Sequence, residues 1–203
     1  MKPKNPIIAV VLGVALVAGI YVANNVRQPA ELVSAFVLPV PSPLPEFALL
    51  DQSGKAVSAE TFRGQWDLVF FGFTHCPDVC PTTMQMLSAA KQSLLDSGAD
   101  PLPRIVLISV DPERDTPDII GRYVNYFGSG HLAVTGDLAE LQKLTQSLGI
   151  YFEKTGFDGD NYTVDHSAAI LLINPDAEFT VLFSAPQTVA TLAHDLPIIM
   201  DAN

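Results

Sequence analysis

The chain has 203 residues, with 22 acidic against 11 basic side chains for a formal charge of −11, 48% hydrophobic residues and two cysteines. That length suits one domain plus an appendage, since single cores hold on the order of 100–200 residues. The acidic excess offers no basic face to a phosphate backbone, which excludes nucleic acid as a partner, and two cysteines leave room only for one bridge, one metal site or one redox pair.

From Asn5 to Val26 run 22 consecutive uncharged residues, preceded by Lys2 and Lys4. At about 1.5 Å per residue a helix of this length crosses a ~30 Å hydrocarbon layer. The pattern predicts an N-terminal transmembrane helix over residues 1–26, with the N-terminus inside and the rest exported. A cleaved signal peptide is the rival reading, although Asn24-Asn25-Val26-Arg27 offers few small residues for a cleavage site. No Arg- and Ser-rich presequence precedes the run, which points to a bacterial cytoplasmic (inner) membrane, single-pass, with the domain facing the periplasm. Residues 28–203 carry 8 basic and 22 acidic groups, net −14.

Pro29, Pro39, Pro41, Pro43 and Pro45 make residues 27–45 read as an extended, stiff spacer. The folded domain is expected over 46–203. After a turn at Ser53-Gly54, continuous apolar runs at Leu68–Phe73, Ile105–Val110 and Ala168–Ile173 predict strands covered on both faces, with a further strand at Phe179–Phe183. Between them, apolar residues recur at helical spacing: Met84, Leu87, Leu94; Ile120, Tyr123, Val124; Leu141, Leu144, Leu148; Leu192, Leu196. Strand, turn at Asn174-Pro175-Asp176, strand and final helix close the chain. The order predicts an α/β fold, a central mixed sheet flanked by helices, and is compatible with a thioredoxin-like topology.

The segment Phe73-Thr74-His75-Cys76-Pro77-Asp78-Val79-Cys80-Pro81 lies at a strand-to-helix turn. Pro81 is tolerable only in a first helical turn, so the helix should start near Asp78 or Val79, with Asp78 as N-cap. Cys80 would then sit at the positive end of the helix dipole, which predicts a depressed pKa for at least one thiol. A bridge across so short a loop removes little chain entropy, so redox or metal chemistry is favoured over a structural disulfide. Of the four histidines, His75 points away from its neighbour Cys76, and His131 and His194 have surface-like settings. His166, in Tyr162-Thr163-Val164-Asp165-His166-Ser167, enters the third strand opposite the cysteine turn. Asp165 could orient its ring or cap the loop. Two soft thiolates and an imidazole suit copper or zinc, and the pattern does not choose between them. In Val110-Asp111-Pro112-Glu113-Arg114-Asp115-Thr116-Pro117, Thr116 is expected to cap a helix and Asp111 to pair with Arg114.

Four blocks, in order, resemble the Sco/SenC family of membrane-anchored copper-binding factors for cytochrome c oxidase assembly. They are Gly72–Pro81, Ser109–Pro117, Thr135–Leu141 with Gly149–Lys154, and Tyr162–Ser167. The resemblance implies Cys76, Cys80 and His166 as ligands of one copper ion per domain, copper(I) resting mainly on the thiolates and copper(II) adding the imidazole. It also implies copper delivery to, or thiol reduction of, the dinuclear copper site of oxidase subunit II. The implied partners are that subunit, a periplasmic copper donor and a periplasmic thiol reductant. A thiol-disulfide oxidoreductase using the Cys76/Cys80 pair is the alternative from another class. A peroxidase is the third, suggested by the shared fold and a cysteine at a helix start.

Overall fold

The computed structural model describes Val10 and residues 12–16, 31–158 and 161–201. The chain forms two units, Met1–Glu31 and Leu32–Asn203. In the first, Val10 and residues 12–16 are helical and exposed. No helix among the described residues is long and apolar enough to cross a membrane, and most of the segment expected as an anchor lies outside the described residues.

The second unit runs β1 (Ala35–Pro43), β2 (Leu49–Asp51), β3 (Ala56–Val57), β4 (Asp67–Gly72), α1 (Val79–Asp96), β5 (Arg104–Ser109), α2 (Pro117–Tyr126), β6 (Leu132–Thr135), α3 (Leu138–Ser147), β7 (Phe152–Asp158), β8 (Asn161–His166), β9 (Ile170–Ile173), β10 (Glu178–Phe183) and α4 (Val189–Met200). A sheet in the order β1-β10-β9-β4-β5-β6-β2-β3 carries the core, and β7-β8 form a separate hairpin. β4 runs parallel to β5, with Phe71 opposite Ile108, and antiparallel to β9, with Phe70 opposite Ile170. Every residue of β4 and β9 is buried. That explains their unbroken apolar runs, since a strand sandwiched between helical layers has no polar face to show. α1 packs on α4, and α2 on β6. The βαβ followed by a ββα closure, with β9 beside β4, is the thioredoxin-like topology with which the element order is compatible.

Three features depart from expectation. Residues 35–43 are extended, as the prolines require, but they are a sheet strand and not a spacer: β1 pairs antiparallel with β10, Ala35 opposite Phe183 and Val37 opposite Val181. The pairing slips between Val37 and Ser42, across Pro39 and Pro41, which have no N–H to contribute and are tolerated only on an edge. The compact unit therefore begins at Leu32, not near residue 46. The strand's start is fastened by Asp195 of α4, fully buried, which accepts from the amides of Val33, Ser34 and Ala35 at 2.9, 2.7 and 2.9 Å. Beyond this, β6 and the β7-β8 hairpin are additional strands, too short or too polar to stand out in the sequence.

Candidate metal and thiol site

The site begins where β4 ends. Gly72 is required there, because a Cβ would lie 2.7 Å from the Phe70 ring and 3.0 Å from Cys80 Sγ. The chain then turns through Thr74–Pro77 and enters α1 at Val79, with Asp78 in the N-cap position but making no side-chain cap bond. Pro81 falls in the first turn, as its missing N–H demands. Cys80 heads the buried stripe of α1, continuing through Met84, Leu87 and Leu94.

Both thiols are free, Cys76 half-buried and Cys80 buried. The amide of Cys80 points at Cys76 Sγ, 3.4 Å away. Opposite them, β8 delivers His166, whose Nε2 lies 3.5 Å from Cys80 Sγ. The ring is held edge-on by Phe70 and Phe73, with centroid separations of 5.9 and 6.0 Å. His166 Nδ1 lies 3.1 Å from the Ser167 carbonyl oxygen, which can only accept. Nδ1 therefore carries the proton, and Nε2 turns its lone pair toward Cys80. Burial lowers the His166 pKa, keeping the ring neutral and able to bind a metal.

One expectation is corrected here. Cys80 is not an exposed thiolate at a helix end: burial pushes its thiol well above the ordinary range, outweighing the hydrogen bond from the Phe73 backbone. Desolvation of a charge exceeds what a helix terminus offers. Ionisation of Cys80 thus requires a partner cation, and a metal that takes its sulfur must displace the thiol proton.

Cys76 and His166 line an open cleft of ≈ 260 Å³ with Phe73, Val79, Thr163 and Ala168. A larger groove follows α1 and α2 past Thr82, Gln85 and Phe127, but it holds no thiol or imidazole. Among the described residues, no three His, Cys, Asp or Glu side chains are already gathered as a metal cage. Closing Cys76, Cys80 and His166 on one ion therefore requires the side chains to draw together. The remaining histidines stand elsewhere. His75 is half exposed and lies 3.1 Å from Thr74 Oγ1. His194 lies 2.8 Å from Asp195. His131, expected on the surface, is buried beside Ser88 at 3.3 Å, because Gly128 and Gly130, both at positive φ, fold its loop inward. Asp165 is exposed, and the role foreseen for it, orienting the His166 ring, belongs to the Ser167 carbonyl.

What sequence reading missed is the brace behind the site. Asp115 is fully buried and accepts from the Thr74 amide at 3.0 Å, the Thr74 hydroxyl at 2.5 Å and the Ser109 hydroxyl at 2.6 Å. This fixes the turn that carries Cys76. Four residues earlier, Asp111 pairs with Arg114 at 2.5 Å, as expected, and also accepts from the Tyr162 hydroxyl at 2.7 Å. Arg114 stacks on the Tyr162 ring at 3.7 Å and donates to its carbonyl at 3.0 Å. One loop, 111–115, therefore holds both the cysteine turn and the hairpin bearing His166. Its signal in the sequence is the pair of aspartates four apart at a strand exit, where isolated acids are rarely buried without partners. Thr116 does take the N-cap position of α2 with Pro117 following, though without a side-chain cap bond.

Two thiols at a strand-to-helix turn, set against an imidazole on a neighbouring hairpin, form a donor set that could hold a soft metal ion or carry dithiol redox chemistry. The chain belongs to the SCO1/SenC family, whose model matches residues 41–201. It is 37% identical over 172 residues to a Stutzerimonas stutzeri protein named as a candidate copper-binding protein, covering 84% of this chain and 83% of that one. Among solved structures it resembles Arabidopsis thaliana ScoI with copper bound, at 32% identity and TM-score 0.74, covering 80% of this chain and all of that one. It also shares the fold of BsSco, described as a member of the Sco family of cytochrome c oxidase assembly proteins, at 21% identity and TM-score 0.59, covering 77% of this chain and 97% of that one. The chain spans only about half the length of the bovine and human mitochondrial SCO2 homologues it matches, 53% and 51%.

Proposed function

We propose that this chain binds one copper ion through Cys76, Cys80 and His166 and serves as a metallochaperone for the dinuclear copper site of cytochrome c oxidase subunit II. The observation that carries the reading is the 3.5 Å approach of Cys80 Sγ to a His166 Nε2 whose lone pair is fixed by the Ser167 carbonyl. The copper-bound state of the Arabidopsis relative supports the metal. Two soft sulfurs suit copper(I), and the borderline imidazole adds the donor that copper(II) favours. Loss of the thiol protons on loading and their return on transfer make delivery reversible, the acceptor drawing the ion away as the thiols reprotonate. Residues 1–26 serve as a single-pass anchor in a bacterial inner membrane, with the domain in the periplasm. A periplasmic copper donor loads the site, and a periplasmic thiol reductant keeps both cysteines reduced, since that compartment oxidises thiol pairs.

The reduced chain is expected to bind one equivalent of copper. His166→Ala should weaken copper(II) binding far more than copper(I) binding, and unchanged copper(II) binding by that variant would sink the assignment. A second reading rests on the unequal burial of the thiols. Half-exposed Cys76 can attack a partner disulfide, and buried Cys80 can then resolve the mixed disulfide: two thiols become one disulfide as the partner gains two thiols. Dithiol exchange with oxidised subunit II in the absence of copper tests it, and no exchange removes it.

A further inference from the structure

Away from the site, β1 is the terminal strand of the sheet and presents an apolar strip. Phe36 is 61% and Val40 75% exposed, and Val33 just before the strand is 65% exposed. Val37, on the other side of the strand from Phe36, is 47% exposed, and the pairing slip after it takes Val40 out of the regular alternation, so the apolar groups gather along the strand's edge rather than on one face. Residues 32–45 contain no charged side chain, in a chain that carries net −14 from residue 28 onward. A large apolar row at a sheet edge marks a contact surface. It is not built for strand addition by a second copy, because Pro39, Pro41 and Pro43 have no N–H groups to pair. The sequence does say what lies next to it. The 22-residue uncharged run ends at Val26, and the seven residues from there to Val33 reach at most about 25 Å even fully extended. A bilayer holding residues 5–26 therefore keeps the strip within reach of its surface.

We propose that the β1 edge, with its exposed Val33, Phe36, Val37 and Val40, rests on the lipid surface of that bilayer, a proposal that builds on the anchored reading above. The contact is apolar, so it needs no anionic lipid, and it suits an acidic domain that anionic headgroups would repel. The docking has a consequence for the site. Ala35 is opposite Phe183, Phe183 opposite Ile170, and Ile170 opposite Phe70. The beginning of β1 thus lies at the sheet end that bears Gly72 and the cysteine turn, three strand spacings or roughly 14 Å away. A domain docked along β1 holds its thiols close to the membrane.

The test uses the full chain in phosphatidylcholine vesicles with and without brominated acyl chains, comparing Val40→Trp with Tyr126→Trp. Both positions are exposed, 75% and 86%, while the native Trp66 is buried at 4%. The indole introduced at position 40 should lose about half its emission in brominated vesicles, at the depth an interfacial side chain reaches. The one introduced at 126 and the native indole should not respond. A chain that floats with the vesicles but shows no quenching at position 40 overturns the docking face and leaves the anchor standing. Blue-shifted but unquenched emission that grows with the protein-to-lipid ratio would assign the strip to a second copy and overturn the proposal equally. A chain that does not float overturns the anchor and the docking together.

Discussion

Asp115 and Asp195 are both fully buried, and each fastens a segment far away in sequence, yet they do so differently. Asp195 takes three consecutive amides, Val33 to Ala35, and the Ser34 hydroxyl at 3.1 Å. Asp115 takes one amide and two hydroxyls, all around the cysteine turn. Burial raises the Asp195 carboxyl, but the Val33 amide, the His194 ring at 2.8 Å and the Ser34 and Ala35 amides outweigh it and draw the carboxyl down to about 2. Backbone donors are fixed in place, whereas hydroxyls rotate on their own Cβ. The place where β1 joins the sheet is thus clamped rigidly. The cysteine turn is held by one backbone amide and two hydroxyls, and the hydroxyls can re-aim without unfolding it.

The largest effect is expected from Asp195→Ala, which strands three amides and a hydroxyl. It should cost on the order of 3–5 kcal/mol by urea titration, with faster hydrogen exchange over residues 33–43 and copper affinity of the folded fraction unchanged. Asp115→Asn should show the converse balance: about 1–3 kcal/mol of stability, but a loss of roughly 10–100-fold in copper(II) affinity by competition titration, as when the groups that orient metal ligands are removed. Equal losses of affinity in the two variants would erase the distinction between clamp and brace. Acid sharpens it further. The folded-state pKa of Asp195 lies below its ordinary 3.8, so its stabilisation is complete above that value and is lost as pH falls through about 2, amounting to about 2 kcal/mol. Between pH 4 and pH 2 the parent should lose that much more than Asp195→Asn does, measured by denaturant titration at each pH. The smallest change is Tyr162→Phe, which removes one hydrogen bond to Asp111 and should cost about 1 kcal/mol in thermal unfolding, with copper(II) affinity falling less than in Asp115→Asn.

The sequence carries the core strands and four helices clearly, because buried strands and amphipathic helices write their periods directly. Both ends of β4, the start of α1 at Val79 and the hairpin at Asn174–Asp176 lie within a residue or two of expectation. β1 is hidden by its prolines: composition favours an extended chain, and only tertiary pairing decides whether that chain stands alone or joins a sheet edge. The candidate site residues Cys76, Cys80 and His166 stand out in the sequence, and the topology brings the end of β8, with His166, to the cysteine turn. Helix position alone gives the wrong protonation for Cys80, whose register with Met84 and Leu87 places it on the core face. The brace through Asp115 and Tyr162 depends on contacts 41 and 51 residues apart, which no local pattern encodes.

The central claim is that two sulfurs and one imidazole of this chain close on a single copper ion. X-ray absorption of the reduced chain loaded with one equivalent of copper(II) tests it most directly. The account predicts two sulfur scatterers and one imidazole in the parent, with the imidazole signature lost and the sulfurs kept in His166→Ala. A copper(II) shell without sulfur, or one unchanged by that substitution, would contradict it.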